Sequence, residues 1–192
     1  MKSFNIYLIG VGGQGIGLLS EVIIRAADKA GVNVRGVDTH GLAQRGGTVS
    51  SNIRIGENIN SPLIMKGQAD LVVALERHEA LRGMNDYAKN GATVIYYDAV
   101  WQPLDVRLRK SKEIENTTIE EEAKRRNVNL IRVFLEDLTD ARMQNMAVLA
   151  TMSKNKLIPN VEKEHYLLAI NDLLSGKLLE NNLELFEKVF SL

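Results

Sequence analysis

Three glycines near the start of the chain, Gly10, Gly12 and Gly15, have the spacing G-x-G-x-x-G, and Gly13 and Gln14 lie between them. Glycines allow a tight turn whose backbone N–H groups point at a ligand, and the positive end of a following helix adds to the attraction. A loop of this composition can bind an anion, typically a phosphate. The alternative is that the glycines only allow a strand and a helix to pack closely, and a single motif of this kind does not decide between the two.

A second polar segment rich in glycine follows at residues 39–47, with the sequence T-H-G-L-A-Q-R-G-G. Arg45 could bind a phosphate or a carboxylate through two parallel hydrogen bonds, or it could brace its own loop. His40 is the one catalytic candidate, because histidine titrates near neutral pH, but it could equally be a hydrogen-bonding loop residue. The candidates for binding a ligand or a partner are therefore Gly10, Gly12, Gly13, Gln14, Gly15, Thr39, His40, Gln44, Arg45, Gly46 and Gly47.

Asp38, at the end of the second predicted strand, stands where dinucleotide-binding proteins place a carboxylate that binds ribose. Together with residues 10–15 it supports an alternative function, a free-standing nucleotide-binding or sensor protein. The chain after Asp38 argues against that alternative, because a doubly wound nucleotide domain would continue with a helix. Here glycine-rich residues and an alternating segment, residues 48–55, follow instead.

The composition excludes several classes of function. The 192 residues contain no cysteine, which excludes disulfides, thiol nucleophiles and an iron–sulfur cluster held by this chain alone. Three scattered histidines do not make a metal site. The 24 basic and 24 acidic residues balance, so no nucleic-acid surface is indicated. No signal peptide and no apolar run of about 20 residues is present, and we expect a cytoplasmic protein.

The elements needed to position these loops can be predicted from periodicity and turn residues. The pattern favours an α/β fold, a Rossmann-like three-layer domain with a mostly parallel sheet, a β-hairpin insertion and C-terminal helices. The predicted strands cover residues 4–9, 32–37, 48–55, 70–75, 92–97 and 130–135. The predicted helices cover residues 18–30, 76–90, a segment starting at Thr118 with Glu121 in a capping box, 141–154, 161–174 and 183–190.

Other side chains have more ordinary interpretations. His78 is expected to be solvated on a surface helix, and His165 to be structural. A methionine- and alanine-rich helix face around Met146 is expected to pack in the core, with a subunit interface as the alternative. Trp101, in a charged segment that extends to about residue 115, is a candidate for partner binding.

Residues 10–15 and 39–47 together form a far more specific pattern than either alone. The combination resembles the gamma-type subunits of 2-oxoacid:ferredoxin oxidoreductases, and most of all the beta subunit of indolepyruvate ferredoxin oxidoreductases. Residues 61–64, 67–70 and 79–82, together with Glu76 and Asn145, continue the resemblance, which covers roughly the whole chain and is strongest from residue 5 to 100. The chain departs from the family at Asp38, where relatives often carry glutamate, and at Leu42, where they often carry methionine.

The resemblance implies a complex that decarboxylates a 2-oxoacid with thiamine diphosphate, passes electrons through iron–sulfur clusters to ferredoxin and forms an acyl-coenzyme A. It implies one gamma-type domain over residues 1–192, with helices from about residue 139 to 192 packed on it. It also implies that the chain is inactive alone and that a larger subunit binds the thiamine and the clusters. The isolated chain could form a homodimer, and a purely structural role in the same complex is a third interpretation.

Overall fold

The computed structural model describes residues 3–40, 47–101, 108, 112–138 and 140–192. In these residues six strands form one sheet, in the order β2-β3-β1-β4-β5-β6. The strands are β1 (Phe4–Val11), β2 (Val34–His40), β3 (Thr48–Ile55), β4 (Ala69–Ala74), β5 (Ala88–Tyr97) and β6 (Asn129–Val133). The helices are α1 (Ile16–Lys29), α2 (Arg77–Tyr87), α3 (Asn116–Arg125), α4 (Gln144–Lys154), α5 (Lys163–Leu173) and α6 (Gly176–Ser191), and a 3₁₀ turn (Ala141–Met143) precedes α4.

The sheet is mostly parallel, and the strand that runs against the others is β3. β1, β4, β5 and β6 pair as parallel neighbours, whereas β3 runs antiparallel to both β1 and β2. The arms β2 and β3 therefore form a hairpin beside β1. This confirms the predicted three-layer α/β fold with a mostly parallel sheet and a hairpin insertion.

Both faces of β1 are buried, which is why its sequence is a continuous apolar run rather than an alternating one. Ile6 and Leu8 lie in the core shared with α1 and the C-terminal helices, while Tyr7 and Ile9 lie in the core shared with α2 and α3. Tyr7 stacks on Tyr87 of α2 with ring centroids 3.6 Å apart. The sheet is thus the middle of three layers, and its strand ends are the surfaces left for loops.

Helix α4 lies inside the layer of C-terminal helices, between the sheet and α6, and contacts α1 as well. Nine of its residues are buried, including Met146, Ala147 and Met152. A helix that is apolar around most of its circumference has no single apolar stripe, which fits a central position. The core-packing interpretation of this segment is therefore confirmed.

Several predicted boundaries were wrong. The second strand begins at Val34 rather than at residue 32, and α2 ends at Tyr87 because Ala88 leaves the helix to pair with Ala69 in the sheet. Helix α3 begins at Asn116 behind an N-cap Glu115 without a side-chain cap, so the predicted capping box does not form.

Helix α6 begins at Gly176, seven residues before the predicted start at residue 183. The first turns were not predicted because Asn182, a polar residue, lies on the buried face and interrupts the apolar pattern. Its side-chain amide donates to the Leu178 carbonyl, which satisfies it locally. No helix among the residues that the structure describes is long and apolar enough to cross a membrane.

Candidate functional site

The glycine-rich loop connects the carboxyl end of β1 to the start of α1. Gly13 and Gly15 have φ angles of 105° and 85°, in the left-handed region that favours glycine. The space at Gly10 is tight, because a Cβ atom there would lie 2.9 Å from the Ile16 side chain and 3.1 Å from Oε1 of the buried Gln14. The glycines therefore create a turn that an ordinary sequence could not form without strain.

Gln14 holds this turn from inside the protein. Its side chain is fully buried, and its Oε1 accepts a hydrogen bond from the Val11 N–H at 2.7 Å. Its Nε2 donates to the Leu75 carbonyl at the end of β4, also at 2.7 Å. Both polar atoms of Gln14 are thereby used within the chain, so this side chain supports the loop rather than facing solvent.

The ends of the two glycine-bearing segments meet at this edge of the sheet. The Gly12 N–H donates to the Gly47 carbonyl at 2.8 Å, one residue before Thr48 pairs with Val11. On the other side of β3, Thr39 pairs with Ser50, and His40 follows it at the end of β2. Gln44, Arg45 and Gly46, and the side chain of His40, lie outside the residues that the structure describes.

A cavity of about 530 Å³ opens beside the glycine loop. Its lining residues are Val11, Gly12, Gly13, Gly15, Ile16, Gly17, Leu18 and Val49. Among the described residues no side chain caps the first turn of α1, and the turn itself contains no acidic residue that would offset the positive end of the helix dipole. A Cβ atom built on Gly13 or Gly17 would have no contact within 4 Å among the described residues, so the space next to both glycines is open. This arrangement can bind an anionic group by backbone N–H donors.

Asn145, in the first turn of α4, lies directly behind the loop. Its Nδ2 donates to the Gly15 carbonyl at 3.4 Å, and a Cβ atom on Gly15 would come within 2.7 Å of that nitrogen. Its Oδ1 is buried and has no hydrogen-bond partner in the described part of the chain, and it lies beside a smaller cavity of about 230 Å³. Sequence reasoning noticed Asn145 only through the family resemblance, because its partner lies 130 residues away along the chain.

The position of Asp38 does not suit a ribose-binding carboxylate. Its Oδ1 accepts hydrogen bonds from Ser20 of α1 at 3.0 Å and from Ser51 of β3 at 2.6 Å. In addition, β3 separates β2 from β1, so Asp38 is one strand further from the glycine loop than in a doubly wound nucleotide domain. Asp38 therefore ties α1 to the hairpin.

A buried ion cluster at the same edge was missed by sequence reasoning. Asp98, which follows β5, accepts hydrogen bonds from Arg77 at 2.8 Å, from Asn116 at 2.8 Å and from Arg132 at 2.7 Å. Burial alone would raise the pKa of Asp98, but these hydrogen bonds outweigh it and hold the pKa below its ordinary value. The available signal was an aspartate directly after a buried apolar strand.

The prediction that His78 is solvated was wrong. His78 is buried, and its Nδ1 lies 2.9 Å from Oε1 of Glu76, the N-cap residue of α2. Glu76 also accepts from the Glu79 N–H at 2.9 Å. His165, by contrast, is structural as expected, since its Nδ1 accepts from the Glu162 N–H at the start of α5.

The fold and this edge define a class of protein: a three-layer α/β domain with a glycine loop at the carboxyl end of its first strand. The sequence profile of the pyruvate ferredoxin/flavodoxin oxidoreductase family matches residues 5–192, so the chain belongs to that family. It is an oxidoreductase family, and the chain is homologous to subunits of 2-oxoacid ferredoxin oxidoreductases.

Individual relatives agree with this assignment. Indolepyruvate oxidoreductase subunit IorB of Methanothermobacter thermautotrophicus is 33% identical over 98% of this chain and 96% of its own length. The IorB subunit of Archaeoglobus fulgidus is 48% identical over 91 residues, which cover 47% of this chain and 45% of that protein.

Solved structures support the fold. The gamma subunit of a keto/oxoacid ferredoxin oxidoreductase from Geobacter sulfurreducens has a TM-score of 0.67 at 21% identity and covers 98% of this chain and 96% of its own. A 2-oxoglutarate:ferredoxin oxidoreductase from Magnetococcus marinus, solved with 2-oxoglutarate, coenzyme A and succinyl-CoA, has a TM-score of 0.70 at 18% identity. It covers all of this chain, which corresponds to 31% of the larger one.

The residues of this chain do not fit an iron–sulfur cluster. Clusters are held by cysteine thiolates, with histidine as an occasional substitute, and the sequence contains no cysteine. Among the residues placed in the structure, no group of three or more histidine, aspartate or glutamate side chains could hold a metal ion. Electron transfer through a cluster therefore cannot be assigned to side chains of this chain.

Proposed function

We propose that this chain is the gamma-type subunit of a complex that oxidises an indolepyruvate-like 2-oxoacid, and that the cavity beside its glycine loop binds the phosphates of coenzyme A. A larger partner subunit would hold the thiamine diphosphate and the iron–sulfur clusters. The observation that carries the ligand assignment is the uncapped N-terminus of α1, which opens into a cavity lined by four glycines. The whole-chain similarity to IorB supports the assignment to the complex.

Within this proposal the side chains of the chain bind and orient, and they supply no group to bond breaking. Backbone N–H groups of the glycine loop would hold the phosphates, while the apolar walls Ile16, Leu18 and Val49 would exclude water from one side of the ligand. Coenzyme A, when bound, supplies the thiol that accepts the acyl group. We extend the proposed ligand site to Thr39, His40, Gln44 and Arg45, because they precede Gly47 in the same glycine-rich segment.

Titration calorimetry with coenzyme A tests this assignment on the isolated full chain and on the complex that co-purifies with it. The space next to Gly17 is open, so the side chain of Gly17→Leu can extend into the cavity without a clash. It would then occupy the volume proposed for the ligand and should abolish binding. Asp28→Leu, at the far end of the same helix, is the matched control and should bind as the unchanged chain does. Binding of coenzyme A that Gly17→Leu leaves intact would contradict the site.

Two further measurements separate the other candidate functions. Binding of NAD that is lost in Asp38→Ala would favour a free-standing nucleotide-binding protein, although the contacts of Asp38 with Ser20 and Ser51 argue against it. Arg45→Ala should weaken coenzyme A binding. If this substitution instead reduces assembly of the complex and leaves turnover of the assembled enzyme unchanged, the chain is a structural scaffold. Co-purification with a partner that contains neither thiamine nor iron would contradict the proposed complex.

A further inference from the structure

A buried carboxylate adjoins the glycine site on the α2 side of the sheet. Glu79 lies in the first turn of α2 and is 3% exposed. Its Oε1 accepts a hydrogen bond from the Thr48 hydroxyl at 3.2 Å. Arg82, one turn further along α2, donates to the same hydroxyl at 3.2 Å, and its Nε lies 3.6 Å from Oε2 of Glu79. Thr48, Glu79 and Arg82 form what we call the Thr48 clamp.

The clamp is a poor way to stabilise a fold. Among the residues that the structure describes, none forms a hydrogen bond with the buried Oε2 of Glu79, and the Arg82 side chain is 55% exposed. A carboxylate that is taken out of water with one oxygen unsatisfied costs stability, and a half-exposed arginine offsets little of that cost. Residues that cost stability in this way cluster at functional sites.

The clamp is placed to control the contact between the two glycine segments. Thr48 is the first residue of β3, and the preceding residue, Gly47, accepts the hydrogen bond from the Gly12 N–H. Thr48 also pairs with Val11, the last residue of β1. A side chain that holds Thr48 therefore acts one residue away from the hydrogen bond that closes the glycine loop.

We propose that Glu79 is a positioning residue of the glycine site, which holds Thr48 at the start of β3 and thereby maintains the hydrogen bond between Gly12 and Gly47. This inference rests on the proposed function for its biological meaning, because it concerns the same cavity.

The ionisation of Glu79 gives the proposal a second consequence. The groups that face Glu79 are Thr48 from β3, Tyr7 from β1, and Arg82, Glu76 and His78 from α2. Burial raises the pKa of Glu79, the charge of Glu76 raises it further, and Arg82, Thr48 and His78 lower it in part. A protonated carboxyl no longer attracts Arg82 and is a weaker acceptor for Thr48. The clamp should therefore loosen as pH falls through a pKa that lies above the ordinary glutamate value.

The free energy of unfolding should depend on pH in the opposite direction from the tightness of the clamp. Because the folded-state pKa is raised, the contribution of Glu79 to stability is present below its unfolded value and is lost as pH rises through the folded one. Glu79→Gln removes that cost at neutral pH. We expect its free energy of unfolding at pH 7.5 to equal or exceed that of the unchanged chain, while the glycine loop becomes looser.

Amide hydrogen exchange on the full chain between pH 5 and 8 tests this directly. At pH 7.5, Glu79→Gln should reduce the protection factor of the Gly12 N–H by about fivefold, the effect expected from losing a half-exposed ion pair and weakening a hydrogen bond. The unchanged chain should approach the same low value as the pH is lowered, whereas the variant should show no such dependence. Amides of Ile6 and Leu8 in the middle of β1 should be unaffected in both.

Glu122→Gln is the matched control, because Glu122 of α3 is paired with Arg125 and with the C-cap residue Arg126, away from the glycine site. It should leave the protection of Gly12 unchanged at every pH. Unchanged protection of Gly12 in Glu79→Gln would overturn the proposal, and so would an equal loss throughout β1, which indicates a merely structural role. The exchange experiment uses no ligand, so a failure to bind coenzyme A would refute the proposed function and leave this inference standing.

Discussion

At the scale of single residues, neighbouring glycines of the loop have different structural roles. Gly15 combines a positive φ with close contact to Asn145, whereas Gly17 has open space where a side chain would lie. The motif spacing in the sequence treats such glycines alike. The tertiary contacts distinguish those that the backbone requires from those that leave room for a ligand.

Alanine substitutions should separate these two kinds of glycine. Gly15→Ala should lower the free energy of unfolding by about 2–3 kcal/mol, because it combines a left-handed backbone with a 2.7 Å clash against Asn145 Nδ2. Gly17→Ala, in the first turn of α1, should change it by no more than about +1 kcal/mol, in the stabilising direction. Urea unfolding of both variants measures the difference. Equal effects of the two substitutions would contradict this account of the loop.

Gln14 should matter for stability even though it lies within the G-x-G-x-x-G segment. Gln14→Leu leaves the Val11 N–H and the Leu75 carbonyl buried without partners, which should cost about 2–4 kcal/mol. Gln68→Leu changes an exposed glutamine in the same way and should stay within about 0.5 kcal/mol. Denaturant unfolding measures both values. A Gln14 variant as stable as the Gln68 variant would show that the two hydrogen bonds are not formed.

At the scale of elements, buried polar side chains connect the strand ends at the carboxyl edge of the sheet. Asp98 connects the end of β5 to Arg77 of α2, Asn116 of α3 and Arg132 of β6. Gln14 connects β1 to β4 at the same edge. These hydrogen bonds fix the ends of β1, β4, β5 and β6 relative to one another.

The cluster around Asp98 should make stability depend on pH. The pKa of Asp98 is lowered, so its contribution is present above its ordinary value and is lost as pH falls through the folded-state value. Asp98→Asn should destabilise the chain by about 2–3 kcal/mol at pH 7, since it leaves Arg77 and Arg132 without their carboxylate. The difference from the unchanged chain should shrink as the pH falls below 3.8, the ordinary pKa of an aspartate. A difference that stays constant over this range, in denaturant titrations at each pH, would contradict the role of the charge.

At the scale of the whole molecule, the C-terminal helices belong to the main core rather than to a separate appendage. Met146 and Leu149 of α4 and Phe186 of α6 lie in the same buried cluster as Leu8 of β1 and Leu19 of α1. Removing these helices would expose one face of the sheet. We therefore expect residues 1–192 to behave as one cooperative unit.

Truncation tests the single-domain prediction. A chain that ends at residue 139 should not unfold cooperatively, because α4, α5 and α6 cover the sheet face that carries Leu8 and Ile95. Calorimetry of the full chain should show one transition. Removing only Leu192, which is 76% exposed, is the control and should leave the transition in place. A cooperative transition in the truncated chain would show that the helices form a separate unit.

Much of the fold could be predicted because periodicity and turn residues act locally. The buried run at β1, the alternation of β3 and the glycine loop were each placed from neighbouring residues, and the structure confirms them. The errors occurred where tertiary packing buries a residue whose polar neighbours in sequence indicate exposure. His78 has a polar neighbourhood in sequence but is buried beside Glu76, and Asn182 on the buried face of α6 concealed the start of that helix.

By itself the sequence determined the class of fold, the absence of cysteine and the two glycine-bearing segments, because these depend on residue types and on short spacings. Only the tertiary structure decided that Gly12 and Gly47 are hydrogen-bonded, that Asn145 lies behind Gly15 and that Glu79 is buried against Thr48. Each of these pairs is separated by 31 residues or more along the chain. Such contacts arise when the sheet orders its strands, and local spacing carries no information about that order.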